Sequence, residues 1–386
     1  MKKVKQIKTK EDKVSRRNFL KTAAVTAGAA ATMGFPMIAK GQTTINWRWQ
    51  STWPTKDIFH EYALDFAKKV NDMTGGELKI EVLPSGAVVP AFGVLDAVSK
   101  GTLDGAHGVL VYHYGKQNAL ALFGSGPAFA LDANMLLAWY KYGGGKELHT
   151  KCYTSIGIPV VAYLYGPMAT QPFGWFKKPI SKLEDLKGMK FRTVGLSVDM
   201  YTAMGCAVNA LPGAEIVPAL DRGLLDGAEF NNAASDRALG FQDVSKVCML
   251  QSYHQNAEQF EILFNKPKFD ALPAKLKAII DNAVEAANSD MWWKSIDRCS
   301  KDYIWLQNEA KVKFYKTPDA ILLKQLEIFD QIATKKSAEN PLFKEILESQ
   351  REFAKRAVAW DMDTNVGRRM AYNYYFGPKK APAKKG

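Results

Sequence analysis

The chain has 386 residues, more than a single compact core normally organises, so we expect two domains. Its net charge of +13 lies mainly at the two ends. Residues 1–40 hold ten Lys and Arg against two acids, and the last eight residues add four lysines. Residues 41–378 therefore carry only +1, and a nearly neutral body argues against a groove that binds nucleic acid.

The N-terminal segment has the order of a twin-arginine export signal. SRRNFLK (15–21) places two arginines before Phe, Leu and Lys, and a run rich in Ala, Gly and Thr follows. A membrane anchor is the alternative, since about 18 apolar residues can span a bilayer. The shortage of Leu, Ile and Val favours a cleaved signal over residues 1–41, with cleavage near Ala39–Gln42 and export to the bacterial periplasm.

Strands and helices alternate along the rest of the chain. The periodicity predicts a strand from Ile45, a helix over 57–76, a strand over 77–84, a helix over 91–101 and a strand over 103–114. The second half repeats this alternation, with a capping box of Ser181 and Glu184 ahead of a strand that ends at Arg192. The pattern predicts an α/β fold with largely parallel sheets.

One short sequence occurs twice. AVSKGTLDGA (97–106) and ALDRGLLDGA (219–228) share six of ten residues, and Leu-Pro and Val-Pro pairs precede both copies. The copies differ at their exits, where His107 follows the first and Glu229 the second. Chance similarity is the alternative, which the upstream match disfavours. We therefore expect the same helix-to-strand corner in two lobes, both facing a ligand cleft at the carboxyl ends of the strands.

Two such lobes form a clamshell, and long helices after them commonly brace the pair. We predict lobe 1 over 42–168, lobe 2 over 169–256, a return to lobe 1 and C-terminal helices over 257–376, and a basic tail over 377–386.

Enzyme signatures are scarce in this sequence. It has no G-x-S-x-G, H-E-x-x-H or Walker loop, and no G-x-G-x-x-G that opens a helix. His107 and His113 lie six residues apart on one predicted strand and could share a zinc ion, although hydrogen-bonded strand histidines are the favoured interpretation. The four cysteines lack the spacing of a metal-cluster site. The sequence is compatible both with disulfide bonds and with buried free thiols.

Three residues suit recognition of an organic acid. Arg192 ends a strand on the ligand side of its sheet, where a guanidinium can bind a carboxylate through two hydrogen bonds; a salt bridge is the alternative. Glu229 follows an apolar run and needs a partner, either Arg or a cation. Gln171 lies at the crossover between lobes, and Na⁺ or Ca²⁺ accepts amide and carboxylate oxygens together.

Over residues 45–376 the chain resembles the solute-binding proteins of TRAP (tripartite ATP-independent periplasmic) transporters, in the branch that binds 2-oxoacids and related monocarboxylates. The resemblance rests on RWQSTWP, PSGAVVPAFGVLDAVSKGTLDGAH, LEDLKGMKFRTVG and IVPALDRGLLDGAEF, in order and at similar spacing. It implies a class II-like periplasmic-binding-protein clamshell. It also implies that Arg192 binds the substrate carboxylate.

The same resemblance implies a cation, Na⁺ or Ca²⁺, bound with the substrate. Gln171, Glu229 and the backbone carbonyl of Phe230 would be its ligands, and Phe230 departs from the Trp that is frequent in the branch. Residues of the other lobe would line the pocket: Ser51, Thr52, Trp53 and Tyr112.

The expected function is therefore capture of a small organic-acid anion, a 2-oxo- or 2-hydroxymonocarboxylate, and its delivery to the membrane permease subunits. No bond is made or broken, no nucleic acid is bound, and a homodimer is considered. The main alternative is an exported metal-dependent enzyme acting on the same small carboxylic acids. A structural envelope protein is a third hypothesis.

Overall fold

The computed structural model describes residues 44–378, which form one compact unit. The predicted signal peptide and residues 379–386 of the basic tail lie outside these residues. Eleven strands are found in the described residues: β1 Ile45–Ser51, β2 Leu78–Leu83, β3 Gly105–Val109, β4 Val160–Pro167, β5 Gly174–Phe176, β6 Lys190–Arg192, β7 Ala207–Asn209, β8 Gly227–Ala228, β9 Val247–Leu250, β10 Gln259–Asn265 and β11 Lys313–Lys316.

Helices cover and connect these strands. The α-helices are α1 Ile58–Met73, α2 Val94–Ser99, α3 Ala133–Tyr142, α4 Gly145–Ser155, α5 Ser197–Ala203, α6 Gly213–Asp221, α7 Ala233–Leu239, α8 Phe241–Val244, α9 Lys266–Asp270, α10 Ala274–Asn308, α11 Asp319–Glu339, α12 Pro341–Thr364 and α13 Arg368–Phe376. Short 3₁₀ helices include Leu110–His113 and Leu183–Leu186. Within residues 44–378, no helix combines the length and apolar character needed to cross a membrane.

Two sheets define the two lobes. The first has the order β2-β1-β3-β10-β4, and the second has the order β11-β9-β5-β8-β6-β7. In each sheet three parallel strands are followed by an antiparallel one, which is β10 beside β3 in the first and β5 beside β8 in the second. The lobes therefore share a local topology, as the sequence repeat predicts.

The repeated corner is the same structure twice. α2 leads into β3 and α6 into β8, and each turn contains a glycine with positive φ, Gly101 at 76° and Gly223 at 71°. Asp104 accepts a hydrogen bond from a backbone N–H of β1 at 2.6 Å, and Asp226 accepts one from β6 at 3.0 Å. Gly and Asp recur in both copies because the turn needs a left-handed residue and a carboxylate that ties it to the neighbouring strand.

The chain crosses between the two sheets at residues 168–173 and again at 251–258. These two crossing segments lie side by side, since the backbone N–H of Met168 donates to Glu258 and that of Gln171 donates to Gln255. A further connection runs through α10 to β11, which pairs with β9 in the second sheet. The sequence pattern predicted only helices in that region, so the strand β11 was not expected.

Two local predictions were wrong. The helix after Ser181 is a 3₁₀ turn whose start is tied by Asp185, because that carboxylate accepts from the backbone N–H groups of Ser181 and Lys182; Glu184 is not the capping acid. His107 and His113 do not share a strand, because β3 ends at Val109 and the chain then turns into a 3₁₀ helix.

The two histidines are hydrogen-bonded structural residues. His107 Nδ1 accepts from Trp53 Nε1 at 2.9 Å, and His113 Nε2 lies 3.2 Å from a carboxylate oxygen of Glu261. His149 contacts the other oxygen of Glu261 at 2.8 Å. Burial opposes ionisation of Glu261, but the hydrogen bonds from both histidines outweigh it and lower its pKa to about 2. All four cysteines are free thiols.

Candidate functional site

A small cavity lies between the two sheets. Trp53 follows β1 and Tyr112 lies in the 3₁₀ helix after β3, and Arg192 and Glu229 reach the cavity from the ends of β6 and β8. The crossing segments complete its wall, and the lining residues are Trp53, Phe59, Val109, Val111, Tyr112, Met168, Gln171, Arg192, Val194, Glu229, Phe230, Asn231, Gln255, Glu258 and Phe260. Its volume of about 20 Å³ holds about one water molecule, so the lobes are closed over the site.

Arg192 is a fully buried cation at this cavity. Its Nε donates to the carbonyl of Leu211 at 2.8 Å, and its Nη1 donates to the backbone carbonyl of Glu229 at 3.0 Å and to Glu229 Oε1 at 2.9 Å. The Phe230 ring lies 5.5 Å from the guanidinium carbon. These contacts fix the side chain while leaving it beside the cavity. Arg192 can therefore bind an anion without first being ordered.

Only one of the two carboxylate oxygens of Glu229 takes part in this ion pair. Its Oε2 has no hydrogen-bond partner, and His254 Nε2 lies 3.9 Å from it. A buried carboxylate oxygen without a partner costs free energy. Glu229 thus has an open oxygen for a further cation or donor.

Two glutamine side chains in the crossing segments also have a carbonyl oxygen without a hydrogen-bond partner. Gln171 Oε1 and Gln255 Oε1 are buried and without a partner, although both residues line the cavity. Carboxylate and amide oxygens are the ligands that hard cations such as Na⁺ and Ca²⁺ accept. Within the described residues no cluster of three His, Cys, Asp or Glu side chains could hold a metal ion, so a cation here would need the amides. The donor set fits such an ion.

Glu258 is a second buried carboxyl at the cavity, and it was not predicted from the sequence. Its oxygens accept hydrogen bonds from the side-chain amides of Gln171, of Gln255 at 2.9 Å and of Asn231 at 3.3 Å. Burial raises its pKa well above the usual range, and the Glu229 carboxylate adds to that effect while Arg192 opposes it. The sequence feature that could have indicated Glu258 is its position as an acidic residue directly before the strand QFEILF.

The predicted residues of the first lobe divide into two groups. Trp53 and Tyr112 line the cavity, and burial raises the pKa of Tyr112 to about 12 against the opposing charge of Arg192. Ser51 and Thr52 are buried outside the lining. The Ser51 hydroxyl lies 2.8 Å from His60 Nδ1 and within hydrogen-bond distance of the Trp53 backbone, so it supports Trp53.

Comparison with known proteins identifies the family. Residues 50–339 match the bacterial extracellular solute-binding proteins of family 7. This chain belongs to that family. Residues 13–33 match the twin-arginine translocation signal, which confirms the predicted export to the periplasm. The matching family consists of solute-binding receptors and not of enzymes. We therefore set aside the alternative of an exported enzyme.

Relatives and solved structures agree with this family assignment. A monocarboxylate 2-oxoacid-binding periplasmic protein of Nostoc sp. (strain PCC 7120) is 30% identical over 90% of this chain and 96% of its own length. A TRAP periplasmic solute-binding protein from Pseudoalteromonas atlantica T6c, with bound sodium and pyruvate, is 27% identical with a TM-score of 0.79 over 86% of this chain and 99% of that one.

A third comparison adds a different ligand. A TRAP solute-binding protein from Bordetella bronchiseptica RB50, a mixed-occupancy dimer with copurified calcium and picolinate in one site, is 27% identical with a TM-score of 0.80 over 86% of this chain and 97% of that one. The predicted TRAP receptor family and two-lobed α/β fold are confirmed.

Direct hydrogen bonds across the cleft hold the receptor closed. The Ser235 hydroxyl at the start of α7 donates to Asp57 Oδ1 at 2.8 Å, and Asp57 also caps α1 of the first lobe. Lys56 Nζ donates to the carbonyl of Leu239 at 3.2 Å, and the Tyr114 hydroxyl donates to Asp199. Opening the lobes to admit a ligand must break these contacts.

Replacing Asp57 with asparagine is expected to stabilise the receptor above neutral pH. Burial raises the pKa of Asp57 from 3.8 to about 7, while hydrogen bonds from Phe59 and Ser235 and the charge of Lys56 oppose the rise. Because the pKa of Asp57 is higher in the folded state than in the unfolded state, its contribution to folding stability is fully present below about pH 4. That contribution is lost as the pH rises through about 7. Asparagine mimics the protonated carboxyl and keeps the helix cap.

Thermal unfolding of both proteins at about pH 5 and about pH 8 checks this prediction. Asp57→Asn should raise the midpoint by at least about 3 °C at the higher pH and change it little at the lower one. The Asp236 pKa is also raised to about 7 by burial, so part of the wild-type pH dependence should persist in the variant. An equal shift at both pH values would contradict the role assigned to Asp57.

Proposed function

We propose that this receptor captures a small 2-oxo- or 2-hydroxymonocarboxylate together with Na⁺ or Ca²⁺ and delivers it to the membrane permease subunits of a TRAP transporter. The observation that carries the proposal is a buried Arg192 beside three unpartnered buried oxygens at one small cavity between the lobes. A carboxylate satisfies the guanidinium, and a cation satisfies the oxygens. Pyruvate with sodium in one similar structure and picolinate with calcium in another support the same ligand chemistry.

Each predicted ligand residue has a role in this proposal. Arg192 would bind the substrate carboxylate, and Gln171, Glu229 and the carbonyl of Phe230 would hold the cation. Trp53 and Tyr112 would cover the ligand from the first lobe. The cation would supply positive charge beside Arg192, which would favour an acid that carries an α-oxygen as well as a carboxylate. The closed cavity holds about one water molecule, so the site must widen to admit any acid, and a short acid requires less widening than a sugar acid.

The Arg192–Glu229 ion pair couples the two ligands. An acid anion that takes Arg192 leaves Glu229 without its counter-charge, and a cation that takes Glu229 leaves Arg192 without its own. Binding both together avoids either unpaired buried charge. We therefore expect the anion and the cation to bind cooperatively.

A thermal-shift panel of carboxylates tests this function. Pyruvate, 2-oxobutyrate, lactate, acetate and galacturonate are each added with Ca²⁺, with Na⁺ and with chelator in sodium-free buffer. The 2-oxo and 2-hydroxy acids should raise the unfolding midpoint only with a cation, according to RT ln(1 + [L]/Kd). Acetate, which lacks the α-oxygen, is the matched control, and an equal shift from acetate would contradict a role of the α-oxygen in cation-dependent binding. No shift from any acid would contradict the function.

We further propose that the receptor pairs with a second copy of itself through α13. No residue of this C-terminal helix is buried, although it carries Met370, Tyr372, Tyr374, Tyr375 and Phe376. An exposed apolar face of this kind is typical of an interface. The dimer of the Bordetella bronchiseptica neighbour supports a second copy as the occupant. Light scattering distinguishes the masses of a monomer and a dimer.

A further inference from the structure

The residue at the exit of the first repeated corner has no role in the site described so far. Glu229, at the exit of the second copy, lines the cavity, whereas His107 at the equivalent position does not. The His107 side chain is fully buried and is hydrogen-bonded to Trp53, which does line the cavity. His107 can therefore influence a ligand through the Trp53 side chain.

The bond to Trp53 is the interaction that favours a histidine at this position. Trp53 Nε1 donates to His107 Nδ1 at 2.9 Å, so the neutral imidazole carries its proton on Nε2. That Nε2 is buried and has no hydrogen-bond partner among residues 44–378, which costs free energy. Burial, with a smaller effect of His60, lowers the pKa of His107 to about 3. The ring thus keeps its acceptor nitrogen at neutral pH.

This bond withholds a hydrogen-bond donor from the cavity. The Trp53 ring is otherwise packed against aromatic rings, with centroid distances of 5.0 Å to Phe59, 5.5 Å to Phe260 and 5.9 Å to Tyr112. The indole N–H is the one polar group of the side chain, and its acceptor belongs to a residue outside the cavity lining. Trp53 therefore contributes an apolar surface to the cavity.

The polar and apolar parts of the cavity lining are separated. The polar lining residues of the second lobe and the crossing segments are Gln171, Arg192, Glu229, Asn231, Gln255 and Glu258. The apolar lining residues of the first lobe are Trp53, Phe59, Val109, Val111 and Phe260. The Tyr112 hydroxyl experiences the charges of Arg192 and Glu229 and so belongs to the polar part. An acid whose carboxylate binds Arg192 has the first-lobe wall left for the substituent on its α-carbon.

We infer that His107 restricts this substituent to an apolar group, because it holds the Trp53 N–H outside the cavity. The inference rests on the proposed capture of a 2-oxo or 2-hydroxy acid and adds the chemical class of the substituent. A hydroxyl in the substituent would give up its hydrogen bonds to water and find no partner at the first-lobe wall. His107 is a positioning residue, since it acts through Trp53 and does not line the cavity.

A matched pair of acids tests the inference. 2-Oxobutyrate and 3-hydroxypyruvate differ by a methyl group in place of a hydroxyl, and calorimetric titration in buffer with both Ca²⁺ and Na⁺ gives the two affinities. The wild type should bind 3-hydroxypyruvate at least about tenfold more weakly. His107→Leu frees the indole N–H and should reduce this ratio by about fivefold or more. His107→Asn keeps an acceptor close to the Nδ1 position and should keep the ratio.

A role of His107 in packing alone makes a different prediction. His107→Leu would then weaken the binding of both acids equally, and an unchanged ratio in this variant overturns the inference. The effect must also depend on the indole N–H. In a Trp53→Phe background no such N–H exists, so adding His107→Leu should leave the ratio unchanged. A reduction as large as in the Trp53 protein would contradict the role of the N–H and overturn the inference.

The remaining outcomes separate the inference from the proposed function. If His107→Leu does not fold, His107→Val replaces it with the same expected result, because valine also lacks the acceptor and suits a strand. A wild type that binds both acids equally well overturns the inference and leaves the proposed function intact. Failure of the wild type to bind either of these acids or pyruvate would instead overturn the proposed function.

Discussion

Replacing Arg192 with methionine is expected to weaken binding of a small 2-oxoacid by about a hundredfold or more. The guanidinium is buried and held at the cavity by Leu211 and Glu229, so the bound acid would lose a preordered, charge-assisted partner. Truncating one member of a buried, hydrogen-bonded charge pair typically costs 2–5 kcal/mol of binding free energy. Methionine fills a similar volume without the charge. Calorimetric titration with pyruvate and a saturating cation gives the affinity directly.

Loss of Arg192 also leaves the Glu229 carboxylate without its counter-charge, which lowers stability independently of ligand binding. The double variant Arg192→Met/Glu229→Gln removes both charges and should recover part of the unfolding midpoint without recovering affinity. Arg192→Lys keeps the charge and loses the planar fork, so its affinity should lie between those of the wild type and the methionine variant. Wild-type affinity in folded Arg192→Met would contradict the role of Arg192.

Replacing Glu229 with glutamine is expected to remove most of the cation dependence of acid binding. The change keeps an acceptor oxygen for Arg192 and removes the charge that the open Oε2 offers a cation. Cation affinity should fall by about tenfold or more, because a carboxylate ligand is replaced by a neutral amide. The unfolding midpoint measured with pyruvate, with and without Ca²⁺, provides the readout.

Glu261→Gln is the matched control for this second prediction. Glu261 is equally buried, but its oxygens are bound by His113, His149 and Tyr153 in the first lobe, and it does not line the cavity. The variant should lower stability and leave the cation-dependent shift intact. If both variants lost the shift to the same degree, the cation dependence would reflect general destabilisation and not ligation by Glu229.

The repeated corner shows how far the sequence predicts this fold. Two copies of a Gly turn followed by Leu-Asp-Gly-Ala could be recognised because the geometry of the turn requires those residues. From the repeat followed two similar sheets, a cleft between them and the placement of Arg192 and Glu229 at its edge. The sequence did not reveal that these two residues bind each other, since that contact depends on β6 and β8 being neighbours in one sheet.

The features that the sequence did not predict depend on contacts distant along the chain. Glu258 enters the cavity because the second crossing segment lies against the first, which no local pattern records. β11 is a short strand after a 35-residue helix, and it forms by pairing with β9. His113 leaves the strand direction because the chain turns after Val109, although the local residues Leu-Val-Tyr favour a strand.

The most direct test of the central claim, capture of an acid together with a cation, is a calorimetric titration of pyruvate into the mature receptor. The protein is first treated with chelator and transferred to sodium-free buffer, and the titration is repeated with Ca²⁺ and with Na⁺. We predict one acid bound per chain when a cation is present, and an affinity at least about tenfold weaker without one. Equal affinity with and without cations, or no binding of pyruvate or any other 2-oxo or 2-hydroxy acid in the presence of a cation, would contradict the account.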